Sequence, residues 1–395
     1  MASALDGIRV IELAGLGPSQ LGAMVLADLG ADVVRVDRTS AVPQLPPLDR
    51  NRELLSRGRR SIALDLKRDK GRRVALQLIE GADVLIDPYR PGVLERLGLG
   101  PSVALGINPR LVFARMTGWG QDGPLSRAAG HDLNYIGLSG ALEPMGASGE
   151  PPQVPLNLVG DFGGGAMPLV IGILAALFER ERSQRGQVVD VAMIDGVATL
   201  LTSILQMSAM GEWSTQRDAN WISGAAPWYR VYRTADQRYV TVGPLEERFY
   251  TQLLERLGLR PDEWPQWDRA LWAPLRERLA EIFLTETLDH WCDELEGTDV
   301  CFAPVLSFAE AAIHPQLATR GVYIEHDGAL QPAPSPRLGR TPGEIGCPPP
   351  WAGADTWEIL RELGYDSEAI RRLLELGIVR ELPRDPVSKT PLEPV

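Results

Sequence analysis

With 395 residues, 44% of them hydrophobic, the chain is long enough to bury more than one domain-sized core. Its 40 basic and 52 acidic residues are interspersed and leave a net charge of −12, without the Lys/Arg block that marks a nucleic-acid partner. Cys292, Cys301 and Cys347 are odd in number and lack paired metal-ligand spacing. They argue against a disulfide framework or a metal site and predict a reduced, cytoplasmic compartment.

The first third alternates strand and helix. Residues 8–13 read as an apolar strand, Gly15-Leu16-Gly17-Pro18 turns the chain, and 20–29 has helical periodicity. A strand at 33–36 precedes Asp37-Arg38. A helix at 72–79, a strand at 84–86 and another strand at 111–116 continue the pattern, which predicts a parallel sheet wrapped by helices. After a glycine cluster come a long apolar helix at 166–182, a strand-like segment at 188–191 and a second long apolar helix at 192–211. The large α/β domain is therefore read as 1–212. The apolar run 166–178 contains Pro168 and Gly172 and is too short to span a bilayer, so no membrane partner is expected. The N-terminus has no signal-peptide pattern, and the terminal Glu-Pro-Val is not a peroxisomal address.

Residues 213–227 are polar, contain tryptophans and read as a crossing linker. Apolar stretches at 229–232 and 239–242 flank Thr234-Ala235-Asp236-Gln237, a hairpin signal. Helical patterns follow at 247–257, 269–283 and 288–295, giving a small α+β domain at 228–320. Residues 321–380 return through proline-rich 332–350 to a helix at 356–376, completing the large domain. The tail 381–395, with Pro383, Pro386, Pro391 and Pro394, is expected to be disordered.

Gly15 and Gly17 supply the first two glycines of a G-x-G-x-x-G dinucleotide fingerprint, but Gln20 takes the third position. The fingerprint is incomplete, and an ordinary first βαβ unit explains it as well. Other segments are more specific. Leu5-Asp6-Gly7-Ile8-Arg9-Val10-Ile11-Glu12-Leu13 and Leu29-Gly30-Ala31-Asp32-Val33-Val34-Arg35-Val36-Asp37 resemble the opening of the class III CoA-transferase family. The likeness continues through Arg60-Ser61-Ile62-Ala63-Leu64-Asp65-Leu66-Lys67, Tyr89-Arg90-Pro91-Gly92-Val93 and Met116-Thr117-Gly118-Trp119-Gly120. It extends to Cys301-Phe302-Ala303-Pro304-Val305 and His314-Pro315-Gln316-Leu317, and so covers about residues 5–345.

Gly130-His131-Asp132-Leu133-Asn134-Tyr135 and Asn157-Leu158-Val159-Gly160-Asp161-Phe162-Gly163-Gly164-Gly165 place the likeness in the α-methylacyl-CoA racemase branch of that family. The resemblance implies a Rossmann-like large domain, a small α+β domain and an interlocked homodimer. It implies acyl-CoA as substrate, with CoA part of the thioester and no separate cofactor or metal. Arg38, Arg90 and Arg96 become candidate partners of the CoA phosphates. Leu64, Asp65, Leu66, Lys67, Pro88 and Tyr89 become the path of the nucleotide and pantetheine, and Gly130 to Tyr135 a further binding segment.

Inverting a carbon next to a thioester is easiest with one base on each face, held in different protonation states. The racemase branch assigns these parts to the positions of His131, acting on the S epimer, and Asp161, acting on the R epimer. Asp132 stands next to His131 and can influence it. Glu246, after the second hairpin strand, matches a residue that completes the site from the partner's small domain. Each residue alone also has a bland reading. His131 could be a structural histidine, Asp161 a helix-capping carboxylate, Glu246 a helix N-terminal acid, and Met207 and Met210 core residues. Two other functions stay open: a CoA-transferase in which Asp161 is the acyl-accepting nucleophile, and an inactive acyl-CoA-binding protein. His131 beside Asp132, and a single glycine after Val242, favour the racemase over the transferase.

Overall fold

The computed structural model describes residues 3–40 and 53–381. The expected disordered tail thus lies, but for Glu381, outside the described residues. The chain divides into two compact units. One comprises Met1–Ser139, Leu156–Leu200 and Gly321–Val395, and the other Gly140–Pro155 and Leu201–Arg320. Residues 140–155 and 201–212, placed in the large domain on sequence grounds, therefore belong to the second unit.

The first unit is built on a seven-stranded sheet. Its elements are β1 (Arg9–Leu13), α1 (Pro18–Asp28), β2 (Asp32–Arg38), β3 (Arg59–Leu64), α2 (Asp69–Glu80), β4 (Val84–Asp87), α3 (Val93–Arg96), α4 (Pro101–Ile107), β5 (Val112–Thr117), α5 (Asp132–Leu138), α6 (Met167–Ser183), β6 (Gln187–Ala192) and α7 (Met193–Leu200). The strand order is β3-β2-β1-β4-β5-β6, all parallel, with the C-terminal strand Val379–Arg380 added antiparallel on the β3 edge. This is the doubly wound order, and it reverses direction between β1 and β4, where such sheets form a crevice.

Neighbouring strand residues face opposite layers, yet both faces are apolar, because a parallel sheet is covered on both sides. Ile11, Val34, Leu85 and Phe113 pack with α2 and with Ile359, Leu360 and Ile370 of the C-terminal helices. Val10, Val33, Ile86 and Val112 pack with α1 and with Leu169, Ile173 and Leu177 of α6. Each such side chain contributes roughly 1.5–3 kcal/mol by leaving water. The most deeply buried ion pair described lies with them: Arg59 Nε stands 2.7 Å from Glu12 Oε2, both side chains at 0% exposure. Burial pushes the Glu12 carboxyl up and the Arg59 guanidinium down, each opposed by the other's charge.

The second unit contains α8 (Thr202–Ala209), an antiparallel sheet of β7 (Arg230–Arg233), β8 (Tyr239–Val242) and β9 (Phe302–Pro304), and the helices α9 (Glu247–Arg256), α10 (Trp272–Phe283) and α11 (Leu288–Leu295). Its core is aromatic: Trp228, Tyr232, Tyr250, Trp272, Phe283 and Trp291. Ala225 and Ala226 are buried there and Trp221 stacks 6.2 Å from Trp228, so the second half of the expected linker is core packing.

Three helices differ from expectation. The predicted helix at 192–211 breaks at Leu201 into α7 and α8, which fall in different units; α7 buries Met193, Gly196 and Val197, while α8 buries nothing within the chain. The helix at 356–376 splits into Thr356–Glu362 and Ser367–Glu375 at Gly364, whose φ of +86° a helix cannot hold. Finally, α6 is preceded without interruption by a wide π-helical stretch, Leu158–Ala166, in which Met167 N bonds to Phe162 O. The continuous Leu158–Ser183 is long and apolar enough, by length and composition, to cross a bilayer, which corrects the reading that this run is too short. Its buried residues Leu169, Val170, Ile173, Ala176 and Leu177 lie in the core against the sheet.

Candidate active site

The crevice between β1 and β4 is closed at its floor by glycines. A Cβ on Gly15 would stand 2.5 Å from Pro88 Cβ, so the turn after β1 touches the loop after β4 directly. Gly17 has φ +59°, and a Cβ there would lie 3.3 Å from Asp161 Oδ2. The Asp161 carboxylate therefore stands over the turn that holds pyrophosphate in dinucleotide folds. The dinucleotide alternative fails on this geometry, because an anionic pyrophosphate would have to share the place with a carboxylate.

Asp161 lies inside the π-helical stretch, not ahead of the helix as its sequence position suggested. Helical winding begins at Leu158, so the Asp161 amide belongs to the first turn, whose N–H groups lack helical acceptors. Asp132 Oδ2 accepts it at 2.7 Å. That bond joins the two motifs, 29 residues apart, in one site. Gly160 permits it, since a Cβ there would fall 2.6 Å from Asp132 Oδ2. Asp132 is buried at 6% exposure, and its Oδ1 lacks a partner in the structure. The Asp161 side chain is half-buried, and Asn157 Nδ2 donates to its Oδ2 at 3.3 Å. Burial raises the Asp161 carboxyl above its usual range, and the Asp132 charge adds to this; the Asn157 bond and His131 work against it.

The other glycines of the cluster make packing contacts. A Cβ on Gly164 would strike Val197 at 2.8 Å, and one on Gly165 would strike Pro18 Cβ at 3.1 Å. They let α7 and α1 close on the π turn and fix where it presents Asp161.

His131 immediately precedes α5 and is exposed; its backbone N–H donates to Asn134 Oδ1 at 3.0 Å. Its position is set from below. The Tyr135 hydroxyl donates to Gly130 O, and the Tyr135 and Trp119 rings meet edge-to-face at 4.7 Å. A Cβ on Gly118 would fall 2.0 Å from the Tyr135 ring. Tyr135 titrates above its usual value through burial and the Asp161 charge, opposed by Arg90, so these three share one neighbourhood. Leu133 beside them is exposed.

The expected CoA segments lie along the same C-terminal sheet edge. Arg38 is exposed at the end of β2, and burial pushes the Tyr89 hydroxyl up against the opposing charge of Arg38. Arg90 Nη1 donates to Arg127 O at 3.3 Å. Leu64 is buried and Leu66 packs partly on the core, while Asp65 Oδ1 accepts Lys67 N at 3.1 Å and Lys67 is exposed. Arg96, exposed on α3, folds back to 3.2 Å from where a Gly92 Cβ would stand. Glu246 belongs to the second unit, exposed directly before α9; burial, and after it the Glu246 charge, push the Cys301 thiol up. Met207 and Met210 also fall in the second unit, and Met210 is 67% exposed, which excludes it from that unit's core.

The pattern of CoA-transferase family III matches residues 5–356. The chain belongs to that family. A protein named α-methylacyl-CoA racemase from Mus musculus is 45% identical over 93% of this chain and 96% of its own length. The protein of that name from Homo sapiens is 43% identical over 94% and 96%. Among solved structures, a CAIB/BAIF family protein from Brucella suis superposes with a TM-score of 0.78 at 26% identity, over 92% of this chain and all of that one.

Three supports of this candidate site are not legible as such in the sequence. Asn157 reads only as part of a motif. Gln20 reads only as a missing glycine. Asp87, buried at the end of β4, accepts Tyr89 N at 3.0 Å and anchors the Pro88–Arg90 loop. An acid ending an apolar strand is the signal that could have revealed it.

Proposed function

We propose that this protein racemises 2-methylacyl-CoA thioesters by moving the α-proton through an enolate, with His131 and Asp161 as the opposed acid–base pair. The observation that carries the reading is the Asp132–Asp161 bond, which draws the Gly130–Tyr135 and Asn157–Gly165 motifs into one site. The names of the mouse and human relatives support the same chemistry.

In this reading Asp161, as carboxylate, takes the α-proton of the R epimer while protonated His131 returns one to the opposite face. The S epimer uses the reverse states. A carboxyl raised by burial keeps a proton more readily than an ordinary aspartate, which suits a group that must serve as acid in one direction and base in the other. Arg38, Arg90 and Arg96 take the CoA phosphates, and Leu64 to Lys67, Pro88, Tyr89 and Gly130 to Tyr135 line the thioester's path. CoA belongs to the substrate, and no further cofactor or metal is invoked. Glu246 is assigned to orient His131 from the partner of a homodimer. The exposed apolar row Met167, Ile171 and Phe178 on α6 supports a second copy covering this face. Three unpaired cysteines fit a reduced, cytoplasmic setting.

Family relatives named as CoA-transferases, such as an acetyl-CoA:oxalate CoA-transferase from Acetobacter aceti at 31% identity, keep one alternative specific: Asp161 as an acyl-accepting nucleophile. Proton NMR of a 2-methylacyl-CoA in deuterium oxide separates the two. Loss of the α-proton signal with loss of optical purity is expected. A retained α-proton, with CoA moved to an added carboxylate, would overturn the racemase assignment.

A further inference from the structure

The turn between β1 and α1 carries two fingerprint glycines and then Gln20, a residue that the reaction leaves without a role. Gln20 is buried at 3% exposure, and both ends of its amide are committed. Its Oε1 accepts the Gly17 N–H at 3.1 Å, and its Nε2 donates to Glu53 Oε1 at 2.8 Å. The partners dictate this orientation, since an N–H must face the oxygen and a carboxylate the nitrogen. Behind it, Ser56 Oγ donates to Glu53 Oε2 at 2.9 Å and Arg35 Nη1 reaches the same oxygen at 3.4 Å. The Gln20 carbonyl accepts from Arg59, itself paired with buried Glu12.

On its other side, the Gly17 Cα faces the Asp161 carboxylate, with 3.3 Å between Oδ2 and the place of a Cβ. A turn of this kind ordinarily offers its amides to phosphate. Here the Gly17 amide is satisfied from within the protein, and its Cα faces Asp161.

We infer that Gln20, backed by Glu53, is a positioning residue for the reaction: it latches the β1–α1 turn in the left-handed Gly17 conformation against which Asp161 is seated. The inference rests on the acid–base role proposed for Asp161. Removing the latch leaves the half-buried Gly17 N–H without its acceptor, and the turn rearranges to recover one. A shift of a fraction of an ångström at Asp161 changes proton transfer at the α-carbon but not the distant contacts to CoA. The loss therefore falls on kcat and spares KM.

The test uses Gln20→Glu, Glu53→Gln and the two combined in the full-length protein. Gln20→Glu sets two carboxylates face to face, and Glu53→Gln removes the acceptor charge. The combined protein exchanges the two groups, so an oxygen at position 20 still accepts the Gly17 N–H and an amide at position 53 donates back. Each single variant should lose about 10–100-fold in kcat for α-deuterium exchange with KM within about threefold, and the combination should recover to within about threefold of the wild type. Hydrogen exchange of the Gly17 amide should quicken by about tenfold or more in the single variants and slow again in the combination. Single variants with wild-type kcat and unchanged Gly17 protection would overturn the inference, as would a combination no better than its worse parent. Where a single variant fails to fold, the combination decides, because it must both fold and turn over. A wild type that shows no α-exchange sinks the racemase reading, and the Gly17 protection series then decides the latch by itself.

Discussion

Asp87→Asn should stabilise this protein at pH 8 and do much less at pH 5. Asp87 ends β4 with 4% of its surface exposed, and burial lifts its carboxyl from 3.8 to about 7, against the pull of the Tyr89 amide and of Arg115. A carboxyl whose pKa is higher folded than unfolded binds more protons in the folded state. Its contribution to stability is complete below the unfolded value near 3.8 and is lost progressively as pH rises to about 7. Above that point the penalty is roughly 4 kcal/mol, against roughly 1.5 kcal/mol at pH 5. Asparagine carries no such penalty and keeps an Oδ1 for the Tyr89 N–H, now 3.0 Å from the aspartate oxygen. The benefit of the substitution should therefore grow by about 2–3 kcal/mol between pH 5 and pH 8. Urea unfolding followed by circular dichroism at both pH values measures it. Equal effects at the two pH values, or a larger gain at pH 5, would refute the buried-carboxyl argument.

Three further outcomes follow from the site. His131→Ala should slow washout of an α-deuterium from the S epimer most, and Asp161→Asn from the R epimer, in single-turnover NMR; equal slowing of both epimers by each variant would contradict opposed bases. Arg38→Ala and Arg90→Ala should raise KM for acyl-CoA about tenfold or more with kcat nearly unchanged, because phosphate contacts act alike in ground and transition states; steady-state kinetics showing the reverse split would remove them from the CoA path. Light scattering at assay concentration should give twice the 43.2 kDa chain mass, and an active monomer would refute the partner role of Glu246.

The parts legible in the sequence were those with local signals. The alternating strands and helices, the β7–β8 hairpin and α11 follow directly from periodicity and turn chemistry. The breaks were less legible. Position 201 looks as apolar as its neighbours, yet α7 before it buries Met193, Gly196 and Val197 and α8 after it buries nothing within the chain. The short α5 escaped notice because Gly137 and Asn134 weaken its seven residues. The π-helical stretch escaped because its register is set by glycines packing on α7 and α1, which no local pattern records. At the candidate site, His131 and Asp161 stand in motifs that the sequence singles out. The contacts that seat them were not legible, because Asp132 meets an amide 29 residues away and Gln20 meets a carboxylate 33 residues away.

The substitution of one anion for another at the switch point accounts for how a nucleotide-type fold could carry the proposed proton transfer. In a dinucleotide-binding sheet the β1–α1 turn spends its amides on pyrophosphate, and the crevice belongs to the ligand's charge. Here Gln20 takes the Gly17 amide, and the π-helical turn lowers a carboxylate onto the exposed Cα. Two unit charges 4 Å apart repel by about 4 kcal/mol at an effective dielectric of 20, so a phosphate and an ionised Asp161 exclude one another from that spot. In the proposed complex the CoA phosphates must then lie outward, near Arg38 and Arg90, and the uncharged thioester is what reaches the crevice. Burial raises the Asp161 carboxyl, and a pyrophosphate at the same place would raise it further and hold it protonated. Excluding phosphate from the turn thus keeps Asp161 able to titrate, which the proposed reversible proton transfer requires of it.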